Sequence, residues 1–256
     1  MAKAIRITIL MTILIFVAVS TYLTQQRTTD WDLTLRVRVY PINADGHPAT
    51  DAYIRSLSPD NFEPVEAFMH REAKRYDDSV YQPVQIELGP QIVEQPPKLA
   101  EAPNVLDAIL WSLKMRWWAG SVTDEFEDYQ PDVRIFVRYH EPNGRLMLED
   151  SVGVRKGMFG IVNAYTGRRN RGRNQVVFTH ELLHTIGASD KYDPRNNQPI
   201  ALDGLGEPDR SPLYPQRYAE IMGGRVALSA TTAEIPSSLA KTVIGQSTAR
   251  EIRLIE

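Results

Sequence analysis

Two hydrophobic periods alternate along the chain and divide it into elements. Leu33, Leu35, Val37 and Val39 alternate with Thr34, Arg36, Arg38 and Tyr40, the period-two pattern of a half-buried strand. Val65, Phe68, Met69, Ala73 and Tyr76 then recur at helical spacing behind Ser58 or Asp60, either of which can cap a helix. Val84, Ile86 and Leu88 predict a second strand. The Pro-rich stretch 89–103 reads as a surface connection, ended by Asn104 as N-cap of a helix that runs to Gly120. That helix carries Trp111, Trp117 and Trp118, and because Leu106, Ile109, Leu110 and Leu113 recur at helical spacing, it is expected to be core packing rather than a binding platform. Val133 to Tyr139 predicts a third strand, and Asn143-Gly144 is a hairpin signal leading into an antiparallel fourth at Leu146, Met147 and Leu148. Met158 to Tyr165 supplies a fifth strand, and Asn174 is expected to cap the helix that follows. After it come a long irregular segment and a final helix from about Ser237. This order predicts an α/β (α+β) fold: a mixed, mostly parallel five-stranded sheet with an antiparallel edge strand and helices packed on it.

The N-terminus has a different character. Ile7 to Leu23 is almost unbroken apolar sequence behind Lys3 and Arg6, which reads as an export signal. A retained membrane anchor is the favoured form, with the rest of the chain outside the cytoplasm by the positive-inside tendency; cleavage near Ala18-Val19-Ser20 would give a secreted protein instead. Residues 1–30 are therefore expected to be targeting segment and linker, and residues 31–256 one folded domain. A net charge of -3, from 29 Lys+Arg against 32 Asp+Glu, offers no broad basic field and argues against nucleic acid as a partner. Arg168, Arg169, Arg171 and Arg173 form a short basic run that reads as a solvated loop. The chain has no cysteine, so any metal must rest on His, Asp and Glu.

One segment meets that requirement. In His180-Glu181-Leu182-Leu183-His184 two histidines lie four apart, which on a helix puts both imidazoles on one face, one turn apart. Glu181, beside the first of them, can reach a water on the metal without ligating the metal itself. Gly187 breaks the helix, and the turn returns Asp190 toward the same ion, completing a two-histidine, one-carboxylate set with a position open for water. Asp193 is a competing third ligand. The segment from Asp193 to Asp209 holds further oxygen ligands, but it lacks the spacing of a calcium loop, so Ca2+ has no support from it. His47, His70 and His140 lack metal spacing.

His180 to Asp190 fits HExxHxxGxxD and resembles the metzincin clan of zinc metallopeptidases, in the aspartate version of the snapalysin-type peptidases. The resemblance implies a zincin-like domain over residues 31–256, with an active-site helix, one catalytic Zn2+ and a tight turn bearing a methionine beneath the metal. Tyr218-Ala219-Glu220-Ile221-Met222-Gly223-Gly224 is similar to that turn, with Met222 as its methionine. By analogy with other zincins, Glu220 is another competing ligand. The resemblance also implies that 146–154, including Leu146, Met147 and Leu148, binds an extended peptide or protein substrate by strand addition. The expected chemistry is hydrolysis by a metal-activated water with Glu181 as general base, aided at the oxyanion by a phenol from Tyr192, Tyr214 or Tyr218. Two alternatives stand beside it: a noncatalytic, membrane-anchored zinc-binding protein on a peptidase scaffold, and a zinc amidase acting on a non-protein amide.

Overall fold

The computed structural model describes residues 11–12, 31–98, 105–123, 129–142, 152–154 and 158–255. Apart from Met11 and Thr12, the N-terminal apolar run lies outside them, as do Asn104, the Asn143-Gly144 turn and Leu146, Met147 and Leu148. Among the described residues no helix is long and apolar enough to cross a membrane.

Five strands form the main sheet: β1 (Leu35–Asn43), β2 (Val84–Leu88), β3 (Val133–His140), β4 (Val152–Val154) and β5 (Phe159–Tyr165). Their order is β2-β1-β3-β5-β4; the first four are parallel and β4 runs antiparallel along β5. The expected mixed sheet with an antiparallel edge is therefore present. Its edge strand differs from the expected hairpin, because β3 is paired along its length with β1 on one side and β5 on the other. The antiparallel member at the edge is β4, against β5.

Strand alternation gives the sheet two faces, each covered by helices. Leu35, Val37 and Val39 of β1, Val133, Ile135 and Val137 of β3, and Val162 and Ala164 of β5 face the larger core. Helices α1 (Pro48–Arg55), α2 (Glu63–Lys74) and α4 (Arg171–Ile186) contribute to that face. On the other face Tyr40, Ile42, Phe136, Phe159 and Ile161 pack with Met115, Trp118 and Ala119 of α3 (Val105–Thr123). The helix α3 is apolar around much of its circumference, so periodicity alone does not select its buried stripe. Leu110, Leu113 and Trp117 are exposed, against the expectation that they pack in the core, whereas Trp118 is buried 4.7 Å from the Phe136 ring.

Three more boundaries are corrected. Helix α1 was not expected; it begins at Pro48, whose fixed φ suits a first helical turn. Asn174 does not cap α4, which starts at Arg171; its side-chain amide instead bonds the backbone N–H and C=O of Tyr165, tying the helix to β5. The C-terminal helix is shorter and later than expected: a 3-10 turn at Leu239–Lys241 precedes α5 (Gln246–Glu251).

Candidate metal centre

Helix α4 runs between the sheet and the C-terminal segment, burying Val176, Phe178, Leu182, Leu183 and Ile186. That burial leaves a partly exposed stripe on the helix, and the four-residue spacing puts His180 and His184 on it. The helix ends in a Schellman closure around Gly187, at φ 119: Ala188 N–H bonds the Leu183 carbonyl at 3.0 Å and Gly187 N–H that of His184 at 3.2 Å. A side chain at that φ would be strained, which accounts for glycine there.

The reversal serves the histidine before it. His184 Nδ1 lies 2.9 Å from the Ala188 carbonyl, and His180 Nδ1 lies 2.9 Å from the Ile221 carbonyl. A carbonyl oxygen only accepts, so both Nδ1 atoms carry the proton and both Nε2 atoms present a lone pair. Those two Nε2 atoms are 3.1 Å apart, and each is 3.1 Å from Asp190 Oδ1. Three electron-pair donors facing one another at this distance repel unless a cation lies among them. An ion with bonds of about 2.0–2.1 Å in tetrahedral geometry would hold its ligands about 3.3 Å apart, so the spacing fits. These three residues form the group among the described residues that could hold a metal ion.

Electrostatics agree with a site for positive charge. Burial opposes a charged His180 imidazole, but the Asp190 carboxylate, the Glu181 charge and the Ile221 carbonyl outweigh it and raise its pKa. Burial likewise opposes ionisation of Asp190, yet when the two imidazoles carry a second proton in place of a cation, their hydrogen bonds and charge hold its carboxyl far below the usual range. Glu181 is buried on α4 next to His180.

Asp190 is bracketed by fixed neighbours. Glu251 of α5 accepts from Ser189 N–H at 2.9 Å, from Ser189 Oγ at 2.6 Å and from Lys191 Nζ at 2.7 Å. Lys191 N–H bonds the Met222 carbonyl at 2.9 Å. The turn that contains Met222 is closed by Gly223 and Gly224 N–H groups, both 3.0 Å from the Glu220 carbonyl, with Gly224 at φ +68. Met222 is fully buried with Leu182, Leu183 and Ile186 in the core beneath the helix.

Of the predicted site residues, the structure brings together His180, His184 and Asp190, with Glu181 beside them. Tyr192 is near, its ring centroid 6.3 Å from that of His180. Tyr218 lies under the Arg217 guanidinium, and among the described residues neither it nor Tyr214 has a hydrogen bond or ring contact to the three. Asp193 is engaged by Arg195, so it is not in the group. Glu220 is excluded too: its carboxylate is buried under the turn, accepting from Gly223 N–H, Gly245 N–H and Thr248 Oγ1. Burial raises its pKa, and those bonds partly offset the rise.

Sequence reasoning missed the Ile221 and Ala188 carbonyls and the Glu251 clamp. A backbone carbonyl carries no residue signature, and Glu251 acts across 60 positions on Lys191. Comparison of the chain with protein-family models and with curated proteins finds no match in either.

Proposed function

We propose that the chain is a zinc-dependent peptidase. The observation that carries this reading is the 3.1 Å triangle of His180 Nε2, His184 Nε2 and Asp190 Oδ1, with a carboxylate next to it in the helix. Two imidazoles and one carboxylate are borderline-to-hard donors that suit zinc, and a three-residue set leaves a coordination position open, as catalytic sites require. When bound, the ion supplies Lewis acidity, polarising a scissile carbonyl and acidifying water.

The chain's own residues supply the rest. Glu181 is the general base: its carboxylate takes the proton from the attacking water and passes it to the leaving amine. Tyr192, whose ring centroid lies 6.3 Å from that of His180, is the proposed hydrogen-bond donor to the oxyanion. The edge strand β4 packs beside α4, so a peptide added to the sheet there would run past the site, bound mainly through its backbone. The N-terminal apolar run is proposed to hold the domain at the outer face of a membrane.

The test is a digest of a peptide library by the zinc-loaded full chain and by Glu181→Gln. Cleavage should fall by about 10²–10⁴-fold in the variant with zinc retained. A fully active Glu181→Gln removes the mechanism; stoichiometric zinc without cleavage by the wild type makes the protein a noncatalytic zinc binder.

A further inference from the structure

At the far end of α4 lies a cavity with different chemistry. It opens between α1, the first turns of α4 and the C-terminal halves of β3 and β5, and encloses about 380 Å³ of empty space, its mouth included. Arg171, which opens α4, lines it nine positions before His180, so at about 1.5 Å per residue that guanidinium-bearing turn is about 13 Å from His180 along the helix, and the lining runs from there to Phe178.

Its walls divide into an apolar interior and a donor-rich mouth. Phe62, Val137 and Phe178 line the interior, while Tyr53, Tyr139 and Arg171 bring polar atoms, and no carboxylate is among the lining residues. Tyr139 stands out. Its side chain is 5% exposed, its ring meets that of Tyr53 edge-on at 5.3 Å, and no hydrogen bond satisfies its hydroxyl among the described residues. The ring is buried, but the hydroxyl is not sealed in: it opens onto the cavity, where it can hydrogen-bond an occupant. Arg171 is close enough to act on the phenols of both Tyr53 and Tyr139, and it forms no ion pair among the described residues. The start of the sixteen-residue helix α4 adds its positive end to the same mouth, with no acidic residue in its first turn.

We propose that this cavity is a binding site for a small carboxylic acid with a short apolar tail. The carboxylate would accept hydrogen bonds from Tyr139 Oη, Tyr53 Oη and the Arg171 guanidinium; the tail would enter the apolar interior. The space open to the centre of a water molecule is about 30 Å³, against about 10–15 Å³ for one water on that measure, so the tail is of about butyrate length and not a long acyl chain. The site is independent of the metal centre and does not rest on the peptidase reading.

The test is titration of the full chain with sodium butyrate, followed by thermal denaturation and by NMR saturation transfer, with inorganic phosphate and hexanoate as comparison ligands. Butyrate should raise the melting temperature in proportion to the logarithm of its concentration above saturation. Tyr139→Phe removes only the hydroxyl; it should melt no lower than wild type without ligand and lose at least tenfold in butyrate affinity, as should Arg171→Gln. The proposal is overturned if butyrate gives no saturable effect, if phosphate binds equally well, which would reduce the site to a general anion patch, or if Tyr139→Phe binds butyrate like wild type.

Discussion

Glu251 lies sixty-one positions beyond the third candidate ligand, yet it bonds both residues that flank that ligand. Replacing it with alanine removes acceptors for Ser189 N–H, Ser189 Oγ and Lys191 Nζ at once. Lys191 is the costly member, because its side chain is 7% exposed and would keep only Ser189 oxygens as partners. Breaking a buried ion pair from one side costs about 3–5 kcal/mol. Glu251 is itself 30% exposed, so water enters the space it leaves and the expected loss is about 2–3 kcal/mol. Because Ser189 and Lys191 flank Asp190, its carboxylate loses its fixed approach to the histidines, and zinc affinity should fall by about 10–100-fold, the usual effect of removing an outer hydrogen-bond partner. Urea unfolding of the metal-free chain reads the first quantity, and zinc titration against a competing chelator reads the second. Lys191→Met on top of Glu251→Ala should recover stability, since no ammonium is then stranded, without recovering zinc affinity. Unchanged zinc affinity in Glu251→Ala, or equal stability costs with and without Lys191, would refute the clamp.

Acid should undo the same contact: burial opposes ionisation of Glu251, but Lys191 and Ser189 outweigh it and hold the carboxyl below its ordinary 4.5. A depressed folded-state pKa adds stability above 4.5 and loses it as pH falls through the folded value, so the gap in urea midpoint between wild type and Glu251→Gln should be full at neutral pH and close progressively below 4.5. Met222→Ala should cost about 2–5 kcal/mol in urea unfolding and Met222→Leu less than about 1.5, because the site is fully buried and leucine nearly conserves its volume. The two glycines of the same turn should separate. A Cβ at Gly223 would lie 2.4 Å from the Gly204 carbonyl oxygen, so Gly223→Ala must displace backbone and weaken zinc binding, whereas Gly224→Ala meets nothing within 4 Å and should cost only about 1–2 kcal/mol for its positive φ. Equal losses in the two variants, read by urea unfolding and zinc titration, would contradict this account of the turn.

Most of the sheet was legible because alternation is a direct imprint of a two-faced strand: Leu35, Val37 and Val39 fall on one face and Tyr40 and Ile42 on the other. Helix α3 was harder to place, since its residues are apolar on several sides and burial depends on which face meets Phe136. Register and partner choice were also hidden: an antiparallel strand was expected at 146–148 beside β3, and the antiparallel strand among the described residues, β4 at Val152–Val154, lies beside β5. In the site, residues that act through their own side chains at fixed spacing were readable: His180, His184 and, past the Gly187 turn, Asp190. What holds them was not, because the Ile221 and Ala188 carbonyls would serve equally well with other side chains. Tyr139 looked like ordinary strand sequence, and only the packing of α1 and α4 reveals that its hydroxyl borders a cavity.

X-ray absorption at the zinc edge, on the full chain loaded with one equivalent of zinc, reads the ligands of the ion themselves. Two imidazole nitrogens and at least one carboxylate oxygen are expected at about 2.0–2.2 Å, with one imidazole lost in His184→Ala and the carboxylate lost in Asp190→Ala. A spectrum without imidazole scattering, or one that neither substitution changes, would contradict a zinc site on these residues.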